Sequence, residues 1–140
     1  MQIAKVSSNE SFRSLKLTYS LANKLKSSSA KQIRADVKSI KNLLKEYNLH
    51  SKKYVDIVID KNDYNEKFYA IISSKKQGVP MNPHNSHLIP TKNDKAGLKD
   101  LIEWVTSWDF LYSPEGLQEQ KNWAEKALEI LKNSRLGNKK

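Results

Sequence analysis

Cysteine is absent from this chain of 140 residues, and glycine and proline are scarce, with four of each. The lack of cysteine excludes disulfides, thiolate zinc sites and thiol nucleophiles, and it suits a reducing compartment. The shortage of glycine and proline excludes a collagen-like or linker-dominated chain. With 38% hydrophobic and 29% charged residues, the composition is that of a globular protein, and this length predicts one domain with a core of its own.

Long apolar runs are also missing. No stretch approaches the roughly 18 consecutive apolar residues that a membrane-spanning helix needs. The opening residues, MQIAKVSSNES, lack the apolar core of a secretory signal. We therefore expect a cytoplasmic protein that has no membrane partner.

Acidic residues are few in the first part of the chain. Residues 1–53 hold twelve of the 25 basic residues and only three of the 15 acidic ones, so nearly all of the net charge of +10 lies there. Most of the basic residues are lysine rather than arginine. A general compositional bias toward lysine would not segregate the charge in this way, so the asymmetry points to an acidic partner.

Two helices are predicted in this basic part. Weak alternation at Gln2–Ser7 predicts a short strand, and apolar residues at helical spacing predict a first helix from Phe12 to near Ser27. The second helix has the strongest pattern of the chain, and Ser29 with Gln32 would form a capping box at its start. Its apolar residues repeat at intervals of three and four: Ile33, Val37, Ile40, Leu44 and Tyr47. One face of this helix must therefore pack against a core.

Basic residues repeat on the same helix at i, i+3, i+7, i+10 and i+14. They define the basic ridge: Lys31, Arg34, Lys38, Lys41 and Lys45. At 100° per residue these side chains fall in one row, about 120° from the centre of the apolar face. Lys52 and Lys53 would extend the row past the end of the helix. An exposed row of cations is the kind of surface that binds nucleic-acid phosphates.

The middle of the chain predicts β-structure. KYVDIVID alternates, which places Val55, Ile57 and Ile59 on a buried face and Asp56 and Asp60 on a solvated one. KFYAIIS is a second β-rich run, and the Asn- and Asp-containing segment KNDYNE between the two predicts the turn of an antiparallel hairpin. Residues 75–94 are predicted to be a long loop, because three prolines and a glycine interrupt it.

Two more helices are predicted to end the chain as a helical hairpin. Thr91 with Asp94 would cap the first, and Ser113 followed by Pro114 would begin the second, which Gly137 would end. The second helix is expected to turn its apolar residues inward: Leu117, Ala124, Ala127, Leu128 and Leu131. The three tryptophans, Trp104, Trp108 and Trp123, are expected to hold this helical hairpin together in the core. The predicted fold is thus a single α+β domain over residues 1–136, with the β-hairpin extended at most to a three-stranded sheet and residues 137–140 as a disordered basic tail.

The predicted loop contains the one candidate for catalysis. The run His84-x-x-His87-Leu88-Ile89-Pro90, with Asn93 after it, resembles the opening of an HNH-type nuclease motif. The resemblance covers about a dozen residues. It implies that His87 would be a general base, His84 a metal ligand and Asn93 the residue that orients the water. The family also places another His or Asn on a following helix, and in this sequence no histidine follows His87.

The residues favour a small nucleic-acid-binding protein with an accessory or regulatory role. Lysine contacts phosphate as a point charge, whereas bidentate contact with guanine is mostly made by arginine, so weak sequence preference is expected. The sites are the basic ridge with Lys52 and Lys53; no cofactor and no metal are implied. Two alternatives stay open: an inhibitor or adaptor module that docks on an acidic protein, and the HNH-like nuclease. For the adaptor, an exposed tryptophan near Phe110 and Tyr112 would mark the contact.

Overall fold

A computed structural model of the protein describes residues 15–76 and 85–138, with the side chains of the last helix described as far as Ser134. It confirms the α+β class. The elements in chain order are β1 (Leu15–Leu17), α1 (Tyr19–Lys24), α2 (Lys31–Glu46), a 3-10 turn (Leu49–Ser51), β2 (Val55–Lys61), β3 (Phe68–Ser74), β4 (Ser86–Leu88), α3 (Lys95–Leu111) and α4 (Pro114–Asn138).

Within the described residues the sheet has four strands, in the order β1-β2-β3-β4. β2 and β3 form the predicted antiparallel hairpin, with Ile57 opposite Ile72. β1 adds to β2 in parallel, so α1 and α2 form the connection between these two strands. β4 adds antiparallel to β3, with His87 opposite Ala70. Two seven-residue strands at the centre are therefore flanked by edge strands of three residues each.

The core lies between one face of the sheet and the helices. The core-facing side of β2 is as predicted, because Val55, Ile57 and Ile59 are fully buried in this cluster. The opposite side of β2 is not solvated, because Val58 is also buried. Each of the first three helices contributes apolar side chains to the same cluster: Leu21 from α1, Val37 and Leu44 from α2, and Leu101 and Val105 from α3. Burial of this apolar surface is the main term that stabilises the fold.

The first predicted helix is wrong at its start. Residues 15–17 form a strand, and the helix begins only after Thr18, whose hydroxyl accepts a hydrogen bond from the Leu21 amide. In β1, Lys16 is exposed between Leu15 and Leu17, which is the two-residue period of a strand. Parallel pairing with β2 overrides the helical spacing. The strand predicted at Gln2–Ser7 lies outside the described residues.

The predicted helix caps are only partly right. Ser113 does cap α4, because its Oγ accepts from the Gly116 amide at 3.0 Å. For α2 the prediction is wrong: Ala30 occupies the cap position without a side-chain hydrogen bond, and Gln32 Nε2 instead donates to Asp36 Oδ1 at 2.9 Å. The helix after the loop is capped by Asp94 itself, whose Oδ1 accepts from the Gly97 amide at 2.9 Å.

Asp56 is buried rather than solvated. It lies on the sheet face opposite the core cluster, with a relative exposure of 6%. Its carboxylate stands 2.8 Å from Lys16 Nζ and 3.8 Å from Lys75 Nζ. The two lysines offset the cost of burying the charge, and they join the edge strand β1 to the end of β3.

The last helix differs most from expectation. α4 continues through Gly137 to Asn138, so the glycine does not end it; residues 139 and 140 lie outside the described part. The face that was predicted to turn inward is exposed, with Leu128 65% and Leu131 53% accessible. α3 and α4 follow each other with a short connection, as in the predicted helical hairpin, but α4 adds little to the core.

Candidate functional site

The packing of α2 decides where the basic ridge lies. Val37 and Leu44 are buried against the sheet, and Ile33 and Ile40 pack at the edge of the same cluster. The ridge therefore runs along one flank of the helix, beside the buried face. Four of its members are exposed, namely Lys31, Arg34, Lys38 and Lys45. From Lys31 to Lys45 the row is about 21 Å long, at 1.5 Å per residue.

Arg34 has a structural role within the ridge. Its Nη1 atom donates to the carbonyl oxygens of Leu25 and Ser27, each at 3.0 Å. These carbonyls belong to the segment between α1 and α2, where backbone acceptors are left without helical partners. Arg34 therefore ties the end of α1 to α2. Sequence spacing placed this residue correctly on the flank and missed this role.

Lys41 is the least accessible cation of the ridge. Its side chain is half-buried, and burial lowers the pKa of its ammonium group below the ordinary value. A charged group pays for desolvation in such a position, so Lys41 is a poorer phosphate contact than its neighbours. The exposed row is for this reason interrupted in the middle.

The other flank of α2 carries the acidic residues. Asp36 and Glu46 line an open groove of about 790 Å³ between α2 and the strands β3 and β4. Ile40, Leu43 and Phe68 are among its apolar walls. Basic and acidic side chains of the helix are thus segregated to opposite flanks. This segregation follows from the sequence, but the groove depends on how α2 lies across the sheet.

Lys52 and Lys53 follow the 3-10 turn at the far end of α2. Lys52 is half-buried, and its Nζ lies 3.5 Å from Thr106 Oγ1 of α3. Lys53 is exposed, with its Nζ 5.6 Å from the centre of the Tyr54 ring. Of the two lysines predicted to extend the ridge, Lys53 is thus the exposed one, while Lys52 lies against α3.

His87 lies in β4, in the segment that was predicted to be a loop. Its ring is 5.3 Å from the ring of Trp104, and its Nδ1 donates to the Leu88 carbonyl at 2.7 Å. His84 falls outside the described residues, and Asn93 is exposed in the turn before α3. Among residues 15–76 and 85–138 no group of three or more His, Asp or Glu side chains could hold a metal ion. The described surroundings of His87 thus pack a ring against a helix and add no further catalytic group.

The tryptophans separate into two environments. Trp104 and Trp108 pack against the core, as predicted, and Trp108 stacks on Tyr112 with ring centroids 5.8 Å apart. Trp123 does not join them: 73% of it is exposed on α4. Phe110, at the end of α3, is also exposed. An exposed indole of this kind is typical of contact surfaces.

Comparison with known proteins gives no relative for this chain. No protein-family model matches it, and no match is found among curated proteins or solved structures. Among the described residues, no helix has the length and apolar character needed to cross a membrane. Any functional conclusion therefore rests on the surfaces described above.

Proposed function

We propose that the protein binds nucleic acid through the basic ridge, with Lys53 at its far end. The observation that supports the proposal is the segregation of charge on α2, where exposed cations occupy one flank and both acidic residues of the helix line the groove on the other. A flank without carboxylates presents a positive potential to a phosphate backbone. No cofactor is needed for this function.

The composition of the ridge favours binding without sequence preference. Lysines that reach phosphates displace condensed counterions, and this contribution is the same for every sequence. The one arginine of the ridge is already bonded to the carbonyls of Leu25 and Ser27, so it is restrained from reading a base edge. The four exposed cations of the ridge and Lys53 would together make affinity fall by about 500-fold between roughly 50 and 200 mM salt.

The test is a titration of labelled duplex DNA, single-stranded DNA and RNA over that salt range. The variant replaces Lys31→Gln and Lys38→Gln together, because both side chains are exposed and neither lies in the core. We expect the slope of log affinity against log salt to decrease in magnitude by about 2. Lys41 is left unchanged, since its partial burial would mix an effect on folding with an effect on binding.

The matched control is Lys95→Gln with Lys99→Gln, which removes two exposed lysines at the start of α3. This variant has the same net charge as the ridge variant. If both variants weaken binding equally, the total charge and not the ridge is responsible, and the proposal fails. It also fails if none of the three nucleic acids binds at the lowest salt.

The alternative partner is an acidic protein. In that case this chain would be an inhibitor or adaptor module that docks on the acidic surface of its partner. Polyglutamate is the probe for it in the same titration. Binding of polyglutamate that is lost in the ridge variant, without binding of any nucleic acid, would replace the proposed function by this alternative.

A further inference from the structure

We propose that two copies of this chain associate through α4. The contact is the α4 stripe, defined as the apolar residues Leu117, Trp123, Ala124, Ala127, Leu128, Ile130 and Leu131. The proposal goes beyond nucleic-acid binding and does not depend on it. It follows from the exposure of the stripe, its area and the charge of the helix that carries it.

The stripe is continuous and open. At 100° per residue its members cover an arc of about 160° on α4, as wide as the face of a helix that packs on a core. Yet Trp123 is 73% exposed and Ile130 61% exposed. Every side chain from Gln118 to Ser134 is exposed except Ala127, which is half-buried. No other described element covers this arc.

The area of the stripe suits a second copy. One indole and several aliphatic side chains at these exposures present on the order of 500 Å² of apolar surface, which is in the range of the largest patch on an ordinary monomer. A two-fold pair uses the same patch twice and buries on the order of 1,000 Å², which reaches the lower bound for specific interfaces. No second kind of protein is required to cover the stripe.

The charge of α4 permits this contact although each chain is strongly basic. Pro114–Asn138 contains four acidic and four basic residues, so the helix is neutral within a chain of net charge +10. Two neutral helices can meet without the repulsion that would separate two basic surfaces. The same neutrality argues against a nucleic acid or an anionic surface as the occupant, because both need a net positive face.

The small residues of the stripe indicate how the helices would meet. Ala124 lies midway between Leu117 and Leu131, seven residues from each. An antiparallel pair centred on Ala124 would place Leu117 of one copy opposite Leu131 of the other, and the alanines would let the helices approach closely. Trp123 and Ile130 would then close one side of the contact.

The first experiment measures molar mass by light scattering at chain concentrations of about 1 to 100 µM. The salt concentration is about 0.3 M, so that electrostatic repulsion between two basic chains is screened. We expect the mass to rise with concentration from 16.1 kDa toward twice that value. The stripe variant Leu128→Glu with Leu131→Glu is expected to stay monomeric. Its control, Gln118→Glu with Asn122→Glu, adds the same charge to the polar face of α4 and is expected to dimerise as the wild type does.

A wild-type mass that stays at one chain over the whole range would overturn the proposal. Equal dissociation of both variants would overturn it as well, because the charge and not the stripe would then be responsible. Circular dichroism of the stripe variant must match the wild type, and its exposed positions make that the expected result.

The absence of native cysteine allows a second, independent test. Ala124→Cys is expected to form a disulfide-linked dimer under mild oxidation, because the two copies of residue 124 would face each other across the two-fold axis. Asn122→Cys, on the polar face, should remain monomeric under the same conditions. Equal cross-linking of the two variants would contradict the contact, and it would do so whether or not the protein binds nucleic acid.

Discussion

Helices α2 and α4 are both amphipathic, and the molecule uses them in opposite ways. α2 covers the sheet with Val37 and Leu44, and its basic and acidic residues separate onto two flanks. α4 is longer and carries as many aliphatic residues, but the sheet face is already covered and its stripe stays exposed. An apolar stripe therefore shows that a helix needs a partner, while the rest of the fold decides whether that partner lies in the same chain.

The largest expected effect is a difference in unfolding free energy between substitutions on the buried face of α2 and on the exposed stripe of α4. Leu44→Ala in α2 removes a fully buried side chain and is expected to lower the free energy of unfolding by about 2–5 kcal/mol. Leu128→Ala in α4 makes the same chemical change at a position that is 65% exposed, and it is expected to stay within about 0.5 kcal/mol in the monomer. Urea unfolding at low protein concentration measures both. Similar losses would mean that α4 packs in solution as α2 does.

The N-terminal caps of α4 and α2 are expected to differ in how much they contribute to stability. Ser113→Ala removes the side-chain cap of α4 and is expected to cost about 1 kcal/mol, with the buried Gly116 amide left without its acceptor. Ser29→Ala is expected to be nearly neutral, because Ser29 is exposed and does not cap α2. Thermal unfolding of the two variants compares them directly. An equal loss at Ser29 would show that α2 begins one residue earlier than the structure indicates.

A smaller effect concerns pH and the turn that follows α2. Burial, and then the positive charge of Lys45, lower the pKa of His50 below its ordinary value, and its buried Nδ1 has no hydrogen-bond partner among the described residues. As pH falls below about 6.5, the unfolded chain takes up the proton before the folded chain does, so acid lowers the free energy of unfolding. The full stability from this group is present above that pH.

His50→Gln removes the titrating group and is expected to flatten the dependence of unfolding free energy on pH between about 7 and 5. Denaturant unfolding at several pH values provides the measurement. An unchanged slope in the variant would assign the pH dependence to other groups.

Local patterns predicted the elements whose partners are close in sequence. The β2–β3 hairpin depends on alternation, the apolar face of α2 on helical spacing, and the Ser113 cap on a side-chain oxygen three residues before the amide that donates to it. Leu15–Leu17 was assigned to a helix because its strand partner, Val55–Lys61, lies some forty residues away. No local propensity encodes such a pairing.

For the candidate site, too, the sequence predicted what depends on local spacing and missed what depends on tertiary packing. The spacing of cations on α2 gave the basic ridge, but the partial burial of Lys41 and the bonds of Arg34 depend on tertiary packing. The exposure of Trp123 also could not be predicted from residue spacing. Its helix has the spacing of a core helix, and only the occupied sheet face explains why that spacing is not used within the chain.

The short outer strands of the sheet have a consequence for how the protein behaves when concentrated. In the part of the chain that the structure describes, β1 and β4 each offer three residues for further backbone pairing, and β1 carries the charged Lys16 at its centre. A short edge strand, and still more one that carries a lysine, is a poor template for the strand-to-strand addition that extends sheets into fibrils. With such edges and the exposed α4 stripe, we expect two copies to pair in a closed dimer in preference to open-ended aggregation.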